Sequence, residues 1–134
     1  GFPIGVLGIT TFRPFPLDAT RYALRDAKRV LVVEKCFAIG VGGIVATNVR
    51  LALDGTGQPA RDIIAGLGGR AITKDSLARV FREGMANQLE AMTFLDLDHA
   101  VVDRVLERER QSRRSGPTAE NILREVGTVA SKIA

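Results

Sequence analysis

Arg29-Val30-Leu31-Val32-Val33-Glu34-Lys35 is the stretch whose reading decides the fold. Four apolar residues run together and three of them are β-branched, the signature of a strand covered on both faces in a parallel sheet. A loop with glycines at Gly40, Gly42 and Gly43 follows, and a helical pattern begins at Ile44. A strand, a glycine-bearing turn and a helix make half of a βαβ unit. The same grammar appears on both sides of it, so this strand is expected in the middle of one sheet.

Working back toward the start, residues 3–11 read as a first strand through Ile4, Val6, Leu7 and Ile9, although Gly5 and Gly8 weaken it. Phe12-Arg13-Pro14-Phe15-Pro16 cannot be helical, because each proline pushes its predecessor toward extended geometry. It is a stiff elbow carrying two aromatic rings and a cation. Residues 17–28 then read as a helix with Tyr22, Leu24 and Ala27 inward and Pro16 in its first turn.

Working forward, residues 44–53 read as a helix whose stripe is Val45, Asn48, Val49 and Ala52, with Asn48 at its edge or hydrogen-bonded. Asp54-Gly55-Thr56-Gly57-Gln58-Pro59 is turn chemistry. Residues 61–65 read as a short third strand running into a second glycine loop, Gly66-Leu67-Gly68-Gly69-Arg70. Thr73 is placed to cap a helix over 74–90, with Asp75 in its first turn and Leu77, Val80, Phe81, Gly84 and Met85 buried. Residues 93–95 suit a short fourth strand. A helix over 98–113 is amphipathic only at its start, through Val101, Val102 and Val105, and Gly116-Pro117 stops it. Thr118 caps a last helix whose stripe, Ile122, Val126, Val129 and Ile133, docks on its own domain or on another domain or subunit. Residues 111–117 are the plausible linker.

The chain of 134 residues is long enough for one domain with a real core, and its 46% hydrophobic and 25% charged composition is ordinary for a soluble protein. No apolar run approaches the roughly 20 residues a membrane helix needs, and the cytoplasm is the expected location. Gly1-Phe2-Pro3-Ile4 has no initiator Met and no basic flank, so it does not read as a signal peptide; it reads as one piece of a longer polypeptide. The net charge is +4, but the five arginines in 104–114 are interleaved with Asp103, Glu107 and Glu109, the pattern of a solvated mixed-charge face. Aromatic residues are 5% of the chain and none lies among those arginines, which argues against nucleic acid.

The chemistry-bearing residues are few. The single cysteine, Cys36, makes no internal disulfide and no iron–sulfur cluster, and reads as a small residue just past a strand. The single histidine, His99, has no ligand companion and reads as a surface residue at a helix start. The two glycine loops invite a nucleotide reading, because parallel sheets bind ligands at the carboxyl ends of their strands. The fingerprint fails, however: Gly40-Val41-Gly42-Gly43-Ile44-Val45 has Val where a third glycine is needed, and neither loop ends in Lys-Ser/Thr. Nor is there a nucleophile–base pair. Glu34 and Arg70 end two strands and are expected to meet as a structural ion pair rather than as an acid–base couple.

Three motifs taken in order carry a resemblance: Phe12-Arg13-Pro14-Phe15-Pro16; the strand ending Val33-Glu34-Lys35 with glycines after it; and Gly66-Leu67-Gly68-Gly69-Arg70-Ala71-Ile72-Thr73. Over residues 4–81 the chain resembles the C-terminal domain (core domain II) of the α subunit of pyruvate:ferredoxin oxidoreductase and of 2-oxoacid:ferredoxin oxidoreductases generally. The resemblance implies a transketolase C-terminal-like fold: α/β, three-layer, a small mainly parallel sheet with helices on both faces, here with a C-terminal helical tail. Residues 1–95 would be that domain and 96–134 a helical extension docking on it or on a partner. The implied parent enzyme decarboxylates a 2-oxoacid, the elbow wording leaning toward pyruvate, on thiamine diphosphate with Mg. It passes electrons through iron–sulfur clusters to ferredoxin and the acyl group to coenzyme A.

In that family the cofactors sit between other domains and subunits. This chain is therefore expected to hold none, to carry no catalytic residue and to be inactive in isolation. Its implied partners are the α N-terminal domain and the β and γ subunits, with ferredoxin and coenzyme A reached through the complex, and neither nucleic acid nor a membrane. Phe12, Arg13, Phe15, Gly68, Gly69 and Arg70 are the expected interface residues. Gly68 and Gly69 would allow close backbone approach or a positive φ, Arg70 would offer a planar fork, and the elbow would present aromatic anchors. Two alternatives stay open: a module holding an anion, coenzyme A or a nucleotide at the strand ends, and an interaction domain of another transketolase-group thiamine enzyme.

Overall fold

The apolar run becomes strand β1 (Val30–Glu34), in a computed structural model that describes residues 1–112. It pairs in parallel with β2 (Ala60–Ile64), Val32 opposite Asp62 and Glu34 opposite Ile64. β2 pairs in parallel with β3 (Met92–Phe94), Ile63 opposite Thr93. The sheet order is β1-β2-β3, so β2 is the central strand and β1 an edge. That corrects the expectation of β1 in the middle.

The reason lies in the N-terminal segment. Residues 3–11 form no strand: their backbone makes a local turn from Ile4 N–H to the Phe2 carbonyl, and Val6 is 94% exposed. Apolar and β-branched residues give the segment the composition of a strand, but an extended segment becomes one only when an edge meets its backbone groups. Ile9 alone leans on the core.

Helices cover both faces. Helix α1 (Leu17–Leu24) follows the proline elbow and α2 (Ile44–Ala52) follows the first glycine loop. Strand alternation sends Val30, Val32 and Ala60 to one face, where they pack with Ala46, Val49 and Leu53; Phe15, Leu24 and Ala27 close that layer. Leu31, Ile63 and Ala65 meet Val80, Leu77 and Phe81 of α3 (Lys74–Met85) on the opposite face, with Leu89 and Leu95. The arrangement is a three-layer α/β fold with a small parallel sheet.

Local chemistry accounts for the helix ends. Thr73 caps α3 as its spacing requires, its Oγ1 accepting from Ser76 N–H at 3.1 Å. The helix stops at Met85 rather than continuing to 90, because Asn87 takes a left-handed φ of 57° and turns the chain so that Leu89 enters the core. Met85 is consequently exposed rather than buried, and so is Tyr22 on α1, which ends before Ala27 rather than at 28. Asn48 resolves as hydrogen-bonded, donating to the Ile44 carbonyl at 2.7 Å.

Residues Gly1–Asp96 form one unit and a second begins at Leu97. In the second, Asp98 Oδ1 accepts from Val101 N–H at 3.1 Å and starts α4 (His99–Ser112), with His99 exposed at its first position. Ion pairs Arg110–Glu107 and Arg108–Glu109 lie along α4, as expected for a mixed-charge face. The last helix and its apolar stripe, and the Gly116-Pro117 stop, lie outside the described residues.

Candidate functional site

The carboxyl ends of the strands are where ligands and partners meet folds of this layout, and here two acidic side chains stand. Glu34, the last residue of β1, and Asp62, the third of β2, fall on the α2 face of the sheet by strand alternation. Asp62 is completely buried and Glu34 nearly so. Both point at the start of α2. Its N-cap is Gly43, which has no side chain to satisfy the free N–H groups of the first turn. The strands supply the acceptors instead. Glu34 Oε2 accepts from Val45 N–H at 3.0 Å, Glu34 Oε1 from Ala46 N–H at 2.7 Å, and Asp62 Oδ2 from Gly43 N–H at 2.9 Å. The partial positive charge of the helix N-terminus favours carboxylates there.

Gly43 explains itself sterically. Its backbone, at φ −72° and ψ 133°, suits any residue. A Cβ there, however, would lie 2.3 Å from Glu34 Oε1 and 2.6 and 2.7 Å from the two Asp62 oxygens. The fourth oxygen of the pair, Asp62 Oδ1, is buried without a hydrogen-bond partner. Burial pushes the Asp62 carboxyl above the ordinary aspartate range; the Gly43 N–H opposes this, the Glu34 charge adds to it, and the Arg50 charge lowers it.

The second glycine loop is tied down separately. Gly68 and Gly69 take φ of 65° and 81°, and a methyl group added at either would have nothing within 4 Å, so positive φ rather than close approach within this chain accounts for them. Arg70 donates through Nη1 to the Asp96 carbonyl. Asp96 in turn accepts from Ser76 Oγ and from Arg79 Nη2. The Ser76 hydroxyl, then Arg79 as donor and charge, and the Arg70 charge hold the Asp96 carboxyl below its usual range against slight burial. The Glu34–Arg70 pair expected across the strand ends does not form: Glu34 is committed to α2 and Arg70 to the segment after β3.

The elbow is arranged as one stacked group. The Arg13 guanidinium lies 4.2 Å from the Phe12 ring centroid and donates to the Phe12 carbonyl, and the Phe12 and Phe15 rings meet edge to face at 5.9 Å. Phe15 is half-buried on the α1/α2 core layer, and Arg13 is exposed. Thus the six expected interface residues fall into two groups: the elbow Phe12, Arg13 and Phe15, and the loop Gly68, Gly69 and Arg70.

Sequence reasoning missed Asp62 and the role of Gly43. The available signals were an acid inside the strand Ala60-Arg61-Asp62-Ile63-Ile64, and a helix start without a Ser, Thr, Asp or Asn cap. As for cofactor chemistry, Cys36 is exposed and free, and one thiol is no donor set for an iron–sulfur cluster. Among the described residues no three His, Cys, Asp or Glu groups converge to hold a metal ion. The carboxylates that stand together already accept three N–H groups of the glycine loop and α2. No helix among the described residues is long and apolar enough to cross a membrane.

Residues 1–77 match the family model described as pyruvate:ferredoxin oxidoreductase core domain II. The chain is 37% identical over 79 residues to pyruvate synthase subunit PorA of Pyrococcus furiosus, covering 58% of this chain and 20% of that protein. It is 31% identical over 97 residues to the PorA subunit of Methanothermobacter thermautotrophicus, covering 72% and 24%. It is also 36% identical over 75 residues to ketoisovalerate oxidoreductase subunit VorA of Pyrococcus horikoshii, covering 54% and 19%. The chain spans about a fifth to a quarter of the length of these curated relatives.

Proposed function

This chain belongs to the pyruvate:ferredoxin oxidoreductase core domain II family, and from that premise we propose that it serves as the non-catalytic assembly domain of a thiamine-diphosphate-dependent 2-oxoacid:ferredoxin oxidoreductase. The parent enzyme oxidatively decarboxylates its 2-oxoacid, conveys the acyl group to coenzyme A and delivers the electrons to ferredoxin. Pyruvate is the substrate we favour, because relatives named pyruvate synthase recur among the matches. A relative named for ketoisovalerate matches at similar identity, which supports assigning substrate choice to other domains.

The observation that carries this reading is the apolar surface left open by the described fold. Ile39 and Val41, in the loop between β1 and α2, are 93% and 60% exposed. Ile4, Val6 and Leu7 of the N-terminal segment are open too, and β1 has a backbone edge that no described strand pairs. Exposed apolar side chains together with an unpaired strand edge suit a piece held by neighbours. We assign those neighbours to the α N-terminal domain and the β and γ subunits, which on this reading hold the thiamine diphosphate, Mg and iron–sulfur clusters. The extension 96–134 docks on this domain or on one of them, and the complex works in the cytoplasm.

Phe12, Arg13, Phe15, Gly68, Gly69 and Arg70 are the interface residues of this proposal. Arg13→Ala and Arg70→Ala, introduced into the whole complex, are expected to lower the fraction of assembled enzyme on size-exclusion chromatography and to reduce turnover in proportion. Unchanged assembly and turnover in both would remove the interface role.

A further inference from the structure

One oxygen in the strand-end carboxyl pair lacks what the other three have. Glu34 Oε1 and Oε2 and Asp62 Oδ2 each accept a backbone N–H; Asp62 Oδ1 accepts none, and its residue is fully buried. The point where a Gly43 Cβ would stand is 2.3 Å from Glu34 Oε1 and 2.7 Å from Asp62 Oδ1, so both carboxyl groups crowd the same point beside Gly43. A buried oxygen without a donor, next to a second carboxyl group, is the situation in which a carboxyl keeps its proton. We propose that the Glu34–Asp62 couple folds around one proton carried on Asp62 Oδ1, and that this proton latches the first glycine loop and the start of α2 onto the sheet.

The surroundings agree. The charged groups facing Asp62 are Glu34 from β1 and Arg50 from α2. Arg50 is engaged elsewhere, Nε donating to the Ala60 carbonyl at 3.4 Å and Nη2 to the Ala91 carbonyl at 3.2 Å. From β3 comes the Met92 thioether, which does not titrate; its Sδ lies 3.7 Å from where a Gly42 Cβ would be. With the proton in place, Asp62 is neutral beside Glu34, and the two side chains together present a single negative charge to the N–H groups at the start of α2. When the proton leaves, a second negative charge is confined beside Glu34. The sign follows: because the folded state holds this proton more tightly than the unfolded chain, the stabilisation is complete below the ordinary aspartate value of 3.8. It is lost as pH rises from there through the raised folded value.

The test is made on the whole 134-residue chain. With carbonyl-carbon labelling of aspartates, the Asp62 carboxyl resonance, assigned through its backbone, is expected to stay at the protonated position as pH rises past the ordinary aspartate value of 3.8. Over the same window the unfolding constant should rise up to tenfold per pH unit. In Asp62→Asn, whose amide supplies a permanent N–H donor, that dependence should be absent. Glu34→Gln, which leaves Asp62 without its negative neighbour, should move the Asp62 step to lower pH, and serves alone if Asp62→Asn does not fold. An Asp62 resonance that titrates at the ordinary aspartate value of 3.8 overturns the proposal. So does an Asp62→Asn profile parallel to the parent's, or a step unmoved by Glu34→Gln.

Discussion

Replacing Gly43 by alanine puts a methyl group where the carboxyl groups of two strands already stand. At 2.3 Å from Glu34 Oε1 and 2.6–2.7 Å from the Asp62 oxygens, the new Cβ cannot be accommodated without moving both side chains. Those side chains accept three N–H groups at the start of α2. A hydrogen bond to a charged group contributes about 1.5–3 kcal/mol, so losing the better part of two costs about 3–5 kcal/mol. The smaller freedom of alanine in the unfolded chain offsets about 0.4–1 kcal/mol. The expected net loss is about 3 kcal/mol, or roughly 10–20 °C in Tm for a domain of this size. Gly40→Ala is the matched control: its φ of +81° strains an L-residue by about 1–2 kcal/mol, but nothing lies within 4 Å of the new methyl. Urea unfolding followed by far-ultraviolet circular dichroism should rank Gly43→Ala clearly below Gly40→Ala at an unchanged m-value. If Gly43→Ala equals or exceeds Gly40→Ala in stability, the carboxyl cap on α2 is not what orders this end of the sheet.

Two further outcomes are expected. Thr73→Ala removes the oxygen that accepts from Ser76 N–H and should cost about 0.5–2 kcal/mol in the same unfolding assay, with Thr73→Ser restoring most of it. Asp96 has a folded pKa held below its unfolded value, so its contribution is present above the ordinary carboxylate range and is lost as pH falls through the folded value. Asp96→Asn, an amide tolerated at the left-handed φ of 56°, should flatten the acid limb of a stability-versus-pH curve; a limb as steep as the parent's would refute the role given to Ser76 and Arg79.

What could be read along the chain was whatever a short window of residues decides. Val30-Leu31-Val32 sheds its apolar surface as a strand, although Val33, expected to be covered, stays 41% exposed on the edge strand; Leu77-Val80-Phe81-Gly84 does so as one face of a helix, and Thr73 has the side chain that a helix start needs. The family could be read too, since three motifs in one order are a linear property. Pairing is not linear. Residues 3–11 have the composition of a strand, yet strandhood depends on an edge supplied from elsewhere in the fold, so β2 and not β1 stands in the middle. The same limit hid the carboxyl couple. Asp62 looks like a polar break in an apolar strand until the β1–β2 register and the angle of α2 bring it, Glu34 and Gly43 around one point. Three residues spread over 28 positions meet there because backbone N–H groups at a helix start require acceptors wherever the fold places them.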